Sequence, residues 1–190
     1  MKLRNNAYPW LLAVAAMLAM SGCCKPEKIK VLGVPLHPQE TGMWCWAASG
    51  QMCMDFLGDS PNQCTQANNR LGRTDCCNNP VTGDCVKGGW PEFTKYGFTS
   101  KNTSNAALDW ETIRKELSCR NRPICFTWHW PAGSGHMTVL SGYKTIESGN
   151  HLLVTNPGGG GDVYWITYDY YIDGGGDRPH WDDFYEIRKN

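Results

Sequence analysis

Two residues near the start of this chain of 190 residues have the types and the spacing that acyl-transfer chemistry requires. Cys45 opens a segment with helical periodicity, CWAASGQMCMDF, and Gln39 lies six residues before it. A thiol at the start of a helix meets the positive end of the peptide dipoles, which favours the thiolate and lowers the thiol pKa. Cys45 is therefore a candidate nucleophile, although a half-buried structural cysteine fits this position equally well.

A cysteine nucleophile also needs a base, a group that orients the base, and hydrogen-bond donors for the oxyanion. His136 in GSGHMTVLSGY begins a predicted strand, and Asn156 in LLVTNPGG ends the next one. If these strands pair, both side chains reach the same end of the sheet. The Gln39 amide and the backbone N–H of Cys45 could then donate to one oxygen. Each residue alone fits an ordinary loop or strand position, and only their combination favours a catalytic site.

The elements that must position these residues follow from the apolar pattern. Ala48, Met52 and Phe56 recur at helical spacing and predict a helix over 45–57. Other helix-compatible segments lie at 64–71, 90–96 and 109–119. Segments rich in β-branched and aromatic residues predict strands at 124–130, 137–143, 151–155, 163–168 and 184–187. This order predicts an α+β fold with an N-terminal helical subdomain, a C-terminal antiparallel sheet and a cleft between them.

Composition limits the class of protein. With 41% apolar and 19% charged residues, the chain suits one globular domain and is neither disordered nor collagen-like. Its 18 basic and 18 acidic residues balance, so it lacks the basic surface that nucleic-acid binding requires. We therefore expect no nucleic-acid partner. We also expect a monomer.

The N-terminus predicts export. Lys2 and Arg4 precede an apolar run over 10–20, which is too short for a membrane span of about 20 residues and fits a signal peptide. The run ends in LAMSGC, which resembles a bacterial lipobox in which Cys23 would be acylated and become the mature N-terminus. An ordinary cleaved signal peptide is the alternative.

These features predict three segments. A lipoprotein signal peptide occupies 1–22, a polar tether 23–34, and the folded domain 35–190. We expect the protein in the cell envelope, attached to the membrane through its N-terminal lipid and facing the periplasm or the exterior.

Ten cysteines at this density fit an oxidising compartment. The vicinal pair Cys76 and Cys77, with Cys64 and Cys85, predicts a disulfide framework that holds a loop-rich stretch, whereas a nucleophilic Cys45 must stay a free thiol. No C-x2-C or H-x3-H spacing lies near the cysteines, so we predict no metal and no cofactor. The run PGGGGD lacks the Lys and Ser/Thr of a phosphate loop and predicts a plain turn.

The segment around Cys45 resembles papain-like cysteine peptidases. In that family an oxyanion glutamine, here Gln39, is followed by five residues, the nucleophile and then Trp-Ala, here Trp46 and Ala47. The segment CVKGGWPEF resembles the part of the family's chain that lines the cleft. The resemblance implies that Gly88 and Gly89 bind the substrate backbone as an extended strand, with Trp46 as a further binding residue.

The second half of the chain extends this resemblance. His136 with Gly142 and Tyr143 is similar to the family's catalytic histidine strand, and Asn156 to the asparagine that follows it. His136 lies 91 residues after Cys45, closer than the roughly 130–150 residues of the papain and cathepsin group. The chain therefore resembles the compact bacterial branch, which includes double-glycine leader peptidases and secreted effector proteases of plant pathogens.

The resemblance implies a cysteine peptidase that acts on a peptide or protein substrate through a Cys45 acyl-enzyme, with His136 as base, Asn156 as its orienting group and Gln39 at the oxyanion. Two other functions stay open. One is a peptidoglycan amidase or endopeptidase. The other is a non-catalytic, disulfide-rich binding lipoprotein that keeps the papain-like fold.

Overall fold

Seven antiparallel strands, with helices packed on both faces, form the part of the chain that this computed structural model describes, residues 24–190. The predicted signal peptide and the acylation of Cys23 lie outside the described residues. Between residues 24 and 190, no helix is both long enough and apolar enough to cross a bilayer.

The elements follow in the order β1 (Ile29–Val31), α1 (Cys45–Phe56), α2 (Gln63–Leu71), β2 (Phe98–Asn102), α3 (Trp110–Arg114), β3 (Ile124–His129), β4 (Gly135–Ile146), β5 (Gly149–Asn156), β6 (Asp162–Thr167), α4 (Tyr168–Asp173) and β7 (His180–Lys189). A π-helical turn, Lys115–Cys119, continues α3, and 3-10 turns lie at Gly83–Cys85, Phe93–Tyr96 and Gly158–Gly160. The α+β prediction is confirmed, but the helix predicted over 90–96 is only a 3-10 turn.

The strands pair in the order β2-β7-β3-β4-β5-β6, and β1 pairs with the second half of β4. Strand β4 has two neighbours along one edge because β3 pairs with it only as far as Leu140, and β1 pairs with it from Gly142 onwards. Its first half pairs with β3 and its second half with β1. The approach of β1 is close, since a Cβ at Gly142 would lie 2.7 Å from the carbonyl oxygen of Lys30.

The sheet separates two apolar cores. Helices α1 and α2 cover one face, and α3 and α4 cover the other. Strand β3 shows the alternation that this arrangement requires, because Cys125 faces α1 whereas Phe126 and Trp128 face the opposite core. A strand buried on both faces reads as a nearly continuous apolar run, which is why β3 was readily predicted.

The two halves of the chain are less separate than the sequence predicted. Strands β1 and β2 both come from the N-terminal half, and they pair with β4 and β7 of the C-terminal sheet. Residues 24–34 accordingly do not form the free tether that we expected. Ile29–Val31 is a strand of the sheet, and Cys24 is bonded to Cys119. Pairing satisfies backbone groups along the edge of β4 that β3 leaves free.

Disulfides hold the loop-rich stretch between α2 and β2. Cys64–Cys77 ties α2 to the residues that follow it, and Cys76–Cys85 joins two points within that stretch, which confirms the predicted framework. Cys45 is a free thiol, as a nucleophile must be. Cys53 and Cys125 are also free, and their sulfur atoms lie 3.3 Å apart in the core.

Gly142→Ala should destabilise the fold because the added Cβ would press against Lys30 and move β1 off β4. We expect the free energy of unfolding, measured by urea denaturation, to fall by about 1–3 kcal/mol. Gly33→Ala is the matched control, since nothing lies within 4 Å of its added Cβ. Equal stability of the two variants would contradict the docked position of β1.

Candidate active site

A cavity of about 570 Å³ opens where the start of α1 faces the start of β4. Cys45 lines it from the helix and His136 from the strand, while Gly88 and Gly89 line a third side. The cavity therefore lies where the helical elements meet the sheet, and it brings together residues that are distant in sequence.

The start of α1 presents unpaired backbone donors to the Cys45 thiol. Trp44 occupies the N-cap position, and no side chain caps the helix. The first N–H groups of a helix have no carbonyl partner within it, so those of Cys45 and Trp46 stay available. Their hydrogen bonds to the sulfur, with one from the backbone of Met137, lower the thiol pKa.

Burial acts on Cys45 in the opposite direction and is the larger effect. It penalises the charged thiolate, so the pKa of the Cys45 thiol lies above its ordinary value. The lowered pKa predicted from the helix dipole is therefore wrong for this structure. The dipole was identified correctly, but the depth at which the folded chain places the thiol could not be inferred from its position in the helix.

The imidazole of His136 is held by Asn156. His136 Nε2 lies 2.6 Å from Asn156 Oδ1, and the backbone N–H of Gly158 donates to the same oxygen at 2.9 Å. A backbone N–H can only donate, so the Asn156 atom between these two groups is the oxygen. His136 therefore carries a proton on Nε2 and leaves Nδ1 free to accept another.

Sheet topology explains why this pair forms. Strands β4 and β5 are antiparallel, and Val139 of β4 pairs with Thr155 of β5. The start of β4 and the end of β5 therefore lie side by side, as the sequence predicted. Helix α1 packs on the same strand, where Ser49 Oγ donates to the carbonyl of Met137 at 3.1 Å. This bond ties the helix of Cys45 to the strand of His136.

Burial also keeps His136 neutral. It lowers the pKa of the imidazole below 6.5, and the hydrogen bond to Asn156 raises the pKa but is the weaker effect. Within residues 24–190 the Cys45 thiol and His136 make no hydrogen bond to each other. The resting pair is therefore a thiol and a neutral imidazole rather than an ion pair.

The tryptophans around Cys45 position the glycine segment. Trp44 Nε1 donates to the carbonyl of Cys85 at 2.8 Å, and Trp46 Nε1 donates to that of Lys87 at 3.1 Å. Trp46 is only 1% exposed and does not line the cavity. The sequence predicted substrate binding by Trp46, but the structure corrects this to a positioning role. A buried indole fits that role because its N–H needs a partner.

Gly88 and Gly89 lie where a substrate strand could reach them. Both line the cavity, and their backbone groups make no hydrogen bonds with any of the residues from 24 to 190. Unpaired N–H and C=O groups beside a cleft can add a strand from another chain. Substrate binding by Gly88 and Gly89, which the resemblance implied, stays a prediction.

Gln39 is close to the site but does not line the cavity. Its backbone N–H donates to the carbonyl of Pro157 at 2.9 Å, and its side-chain Nε2 donates to that of Thr41 at 2.8 Å. An amide nitrogen carries two hydrogens, so one remains for an oxyanion. The oxyanion role of Gln39 stays a prediction.

Sequence reasoning missed the role of the loop after Asn156. The run PGGGGD was predicted to be a plain turn, yet Gly158 packs directly on His136, and a Cβ there would lie 3.1 Å from the imidazole. The position of the glycine run immediately after Asn156 was the available signal. Arg70 and Trp181 also line the cavity, and no local pattern pointed to them.

Comparison with known proteins agrees with this geometry. No curated protein matches the chain significantly. The family model described as papain-like cysteine protease AvrRpt2 matches residues 28–162, a range that contains Cys45, His136 and Asn156 and covers well over half of the chain. The chain therefore belongs to this family and is a papain-like cysteine peptidase, a hydrolase.

Proposed function

We propose that this protein is a lipid-anchored peptidase of the cell envelope that hydrolyses peptide bonds through an acyl-enzyme on Cys45. The observation that carries the proposal is that His136, which is hydrogen-bonded to Asn156, lines the same cavity as the free Cys45 thiol. Those three residues supply a nucleophile, a base with its accepting nitrogen defined, and the group that orients the base.

In the acylation step, His136 Nδ1 takes the thiol proton while Cys45 Sγ attacks the substrate carbonyl carbon. The backbone N–H of Cys45 and the Gln39 amide donate to the oxyanion that forms. Because both reacting groups start neutral, charge develops only as the sulfur attacks. Asn156 accepts from the Nε2–H and stabilises the imidazolium as it forms.

The remaining steps return the site to its starting state. The tetrahedral intermediate collapses, the C–N bond breaks, and the departing amine takes the proton from His136 Nδ1, which leaves a thioester on Cys45. A water molecule then attacks the thioester carbonyl while Nδ1 accepts its proton. Collapse of the second intermediate releases the carboxylic acid, and the proton returns to the thiol.

The N-terminal sequence, the disulfides and the position of β1 support the envelope location. The sequence LAMSGC suits acylation of Cys23, and structural disulfides, of which the described residues have three, are typical of oxidising compartments. Ile29, the first residue of β1, pairs with Lys144 near the end of β4. His136 lies at the start of β4, which is the opposite end of that strand. An anchor before β1 would leave the cavity end of the sheet open to substrate.

Cys45→Ala should abolish peptide cleavage, since no other described residue that lines the cavity is a cysteine that could form the thioester. In the native protein, a peptide electrophile that reacts with thiols should modify Cys45 alone among the cysteines of residues 24–190, as read by mass spectrometry. Cys53 and Cys125 serve as internal controls because both are free yet fully buried. Cleavage by Cys45→Ala, or labelling at another cysteine with Cys45 untouched, would refute the acyl-enzyme.

The acid limb of kcat/KM should lie below pH 6.5, because burial lowers the His136 pKa and activity needs the unprotonated imidazole. Asn156→Ala removes a hydrogen bond that raises this pKa, so the limb should move to lower pH while kcat falls. Asn156→Asp places a carboxylate beside Nε2–H, so the limb should move to higher pH. Identical limbs in all three proteins would exclude His136 as the titrating base.

Cys23→Ala should release the protein from the membrane fraction, because the thiol that carries the lipid is lost. Radiolabelled palmitate supplied to expressing cells should enter the wild type but not this variant. Cys24→Ser is the matched control, since it breaks the bond to Cys119 but keeps Cys23. A wild type that partitions like Cys23→Ala would rule out the lipid anchor.

A further inference from the structure

Arg70 lies beside the glycine segment of the cavity, and nothing in the catalytic steps uses it. We propose that Arg70 gives the enzyme a preference for a glutamate or aspartate at the substrate residue that pairs with Gly89. The inference rests on the peptidase function proposed above, and it names the chemistry of one substrate position.

Arg70 is held in place without being neutralised. It lies in the last turn of α2, its guanidinium packs 5.5 Å from the ring centre of Trp46, and its Nη1 donates to the carbonyl of Trp90 at 3.3 Å. Among residues 24–190 it has no carboxylate partner within ion-pair distance. A guanidinium has five N–H donors, so most of them remain free for a ligand.

The charge of Arg70 dominates the cavity. No Asp, Glu or Lys is among the described residues that line it, and the imidazole of His136 is neutral because burial lowers its pKa. A single positive charge in a cleft with low-dielectric walls attracts anionic groups and disfavours cationic ones. A basic substrate side chain at this place would therefore bind less well than an acidic one.

Backbone geometry locates the substrate residue that meets this charge. A Cβ at Gly89 would collide with Arg70 Nε, so Arg70 occupies the face of the segment where a side chain of residue 89 would project. A substrate strand can add to the unpaired backbone groups of Gly88 and Gly89. In antiparallel pairing, directly opposite residues project to the same face. The substrate residue opposite Gly89 therefore projects towards Arg70.

Carboxylates fit this site by chemistry as well as by charge. A guanidinium and a carboxylate form short, charge-assisted hydrogen bonds with two-pronged geometry. Glutamine has nearly the same shape as glutamate but lacks the charge, so comparing the two isolates the contribution of charge. A free peptide C-terminus carries the same group, and capped peptides distinguish it from a side chain.

The test uses internally quenched peptides with acetylated and amidated ends, in which glutamate or glutamine is placed at one position at a time. At one position of the peptide, we expect the wild type to cleave the glutamate peptide with a kcat/KM about tenfold higher than that for the glutamine peptide. At the other positions the two peptides should be cleaved equally well. The ratio should shrink as NaCl is raised, since salt screens a half-exposed charge pair. Mass spectrometry of the products places that position relative to the cleaved bond.

Variants of Arg70 assign the preference to this residue. Arg70→Met keeps the length and the contact with Trp46 but removes the charge, so the glutamate-to-glutamine ratio should fall to about one. Arg70→Lys should keep part of the ratio, because it keeps the charge without the planar fork. Arg70→Glu should reverse the preference, so that lysine is favoured over glutamate at the same position.

The possible outcomes separate the two proposals. If the wild type cleaves glutamate and glutamine peptides equally at every position, the Arg70 proposal is overturned and the peptidase function stands. A preference that persists unchanged in Arg70→Met would also overturn it. If no peptide is cleaved and the peptide electrophile does not label Cys45, the proposed function itself fails. If Arg70→Met does not fold, two other measurements test the Arg70 proposal. They are the salt dependence of the wild-type preference and the glutamate-to-glutamine ratio of Arg70→Lys.

Discussion

The antiparallel pairing of β4 with β5 is the constraint on which the rest of the site depends. It brings the start of one strand beside the end of the next, so that His136 meets Asn156. Helix α1 packs on β4 through the hydrogen bond from Ser49 to the carbonyl of Met137, and this places Cys45 on the side of the histidine. A change of one residue in the β4–β5 register would turn His136 to the opposite face of the sheet and separate it from the thiol.

Burial of the reacting groups decides their protonation in the resting enzyme. The unpaired N–H groups at the start of α1 favour a thiolate at Cys45, but the loss of water around the sulfur costs more. Desolvation likewise disfavours an imidazolium at His136. Both groups are buried beside the same cavity, so both are neutral in the resting enzyme. In the proposed mechanism, the histidine becomes positively charged only when a substrate carbonyl is attacked.

Local sequence patterns predicted the elements whose signals are local. Helix α1 has clear periodicity, and strands β3 and β5 are rich in apolar and β-branched residues. The types and order of Cys45, His136 and Asn156 pointed to one site, in which Cys45 and His136 line the cavity and Asn156 binds the histidine. Strands β1 and β2 were missed because they are short and carry polar residues, and only their pairing with distant strands defines them. The burial of Trp46 and the place of Arg70 likewise depend on tertiary packing.

The substrate-facing segment shows how a stretch without regular secondary structure can be held in a fixed place. Gly88 and Gly89 have no strand partner within residues 24–190, yet the chain just before them is bound by Trp44 and Trp46 from α1 and by the Cys76–Cys85 disulfide. Because the backbone groups of the glycines are left unpaired, they remain available to another chain. The Cys76–Cys85 disulfide therefore does more than stabilise a loop-rich stretch. It helps to fix one wall of the cleft, so the geometry of the site depends on this bond staying oxidised.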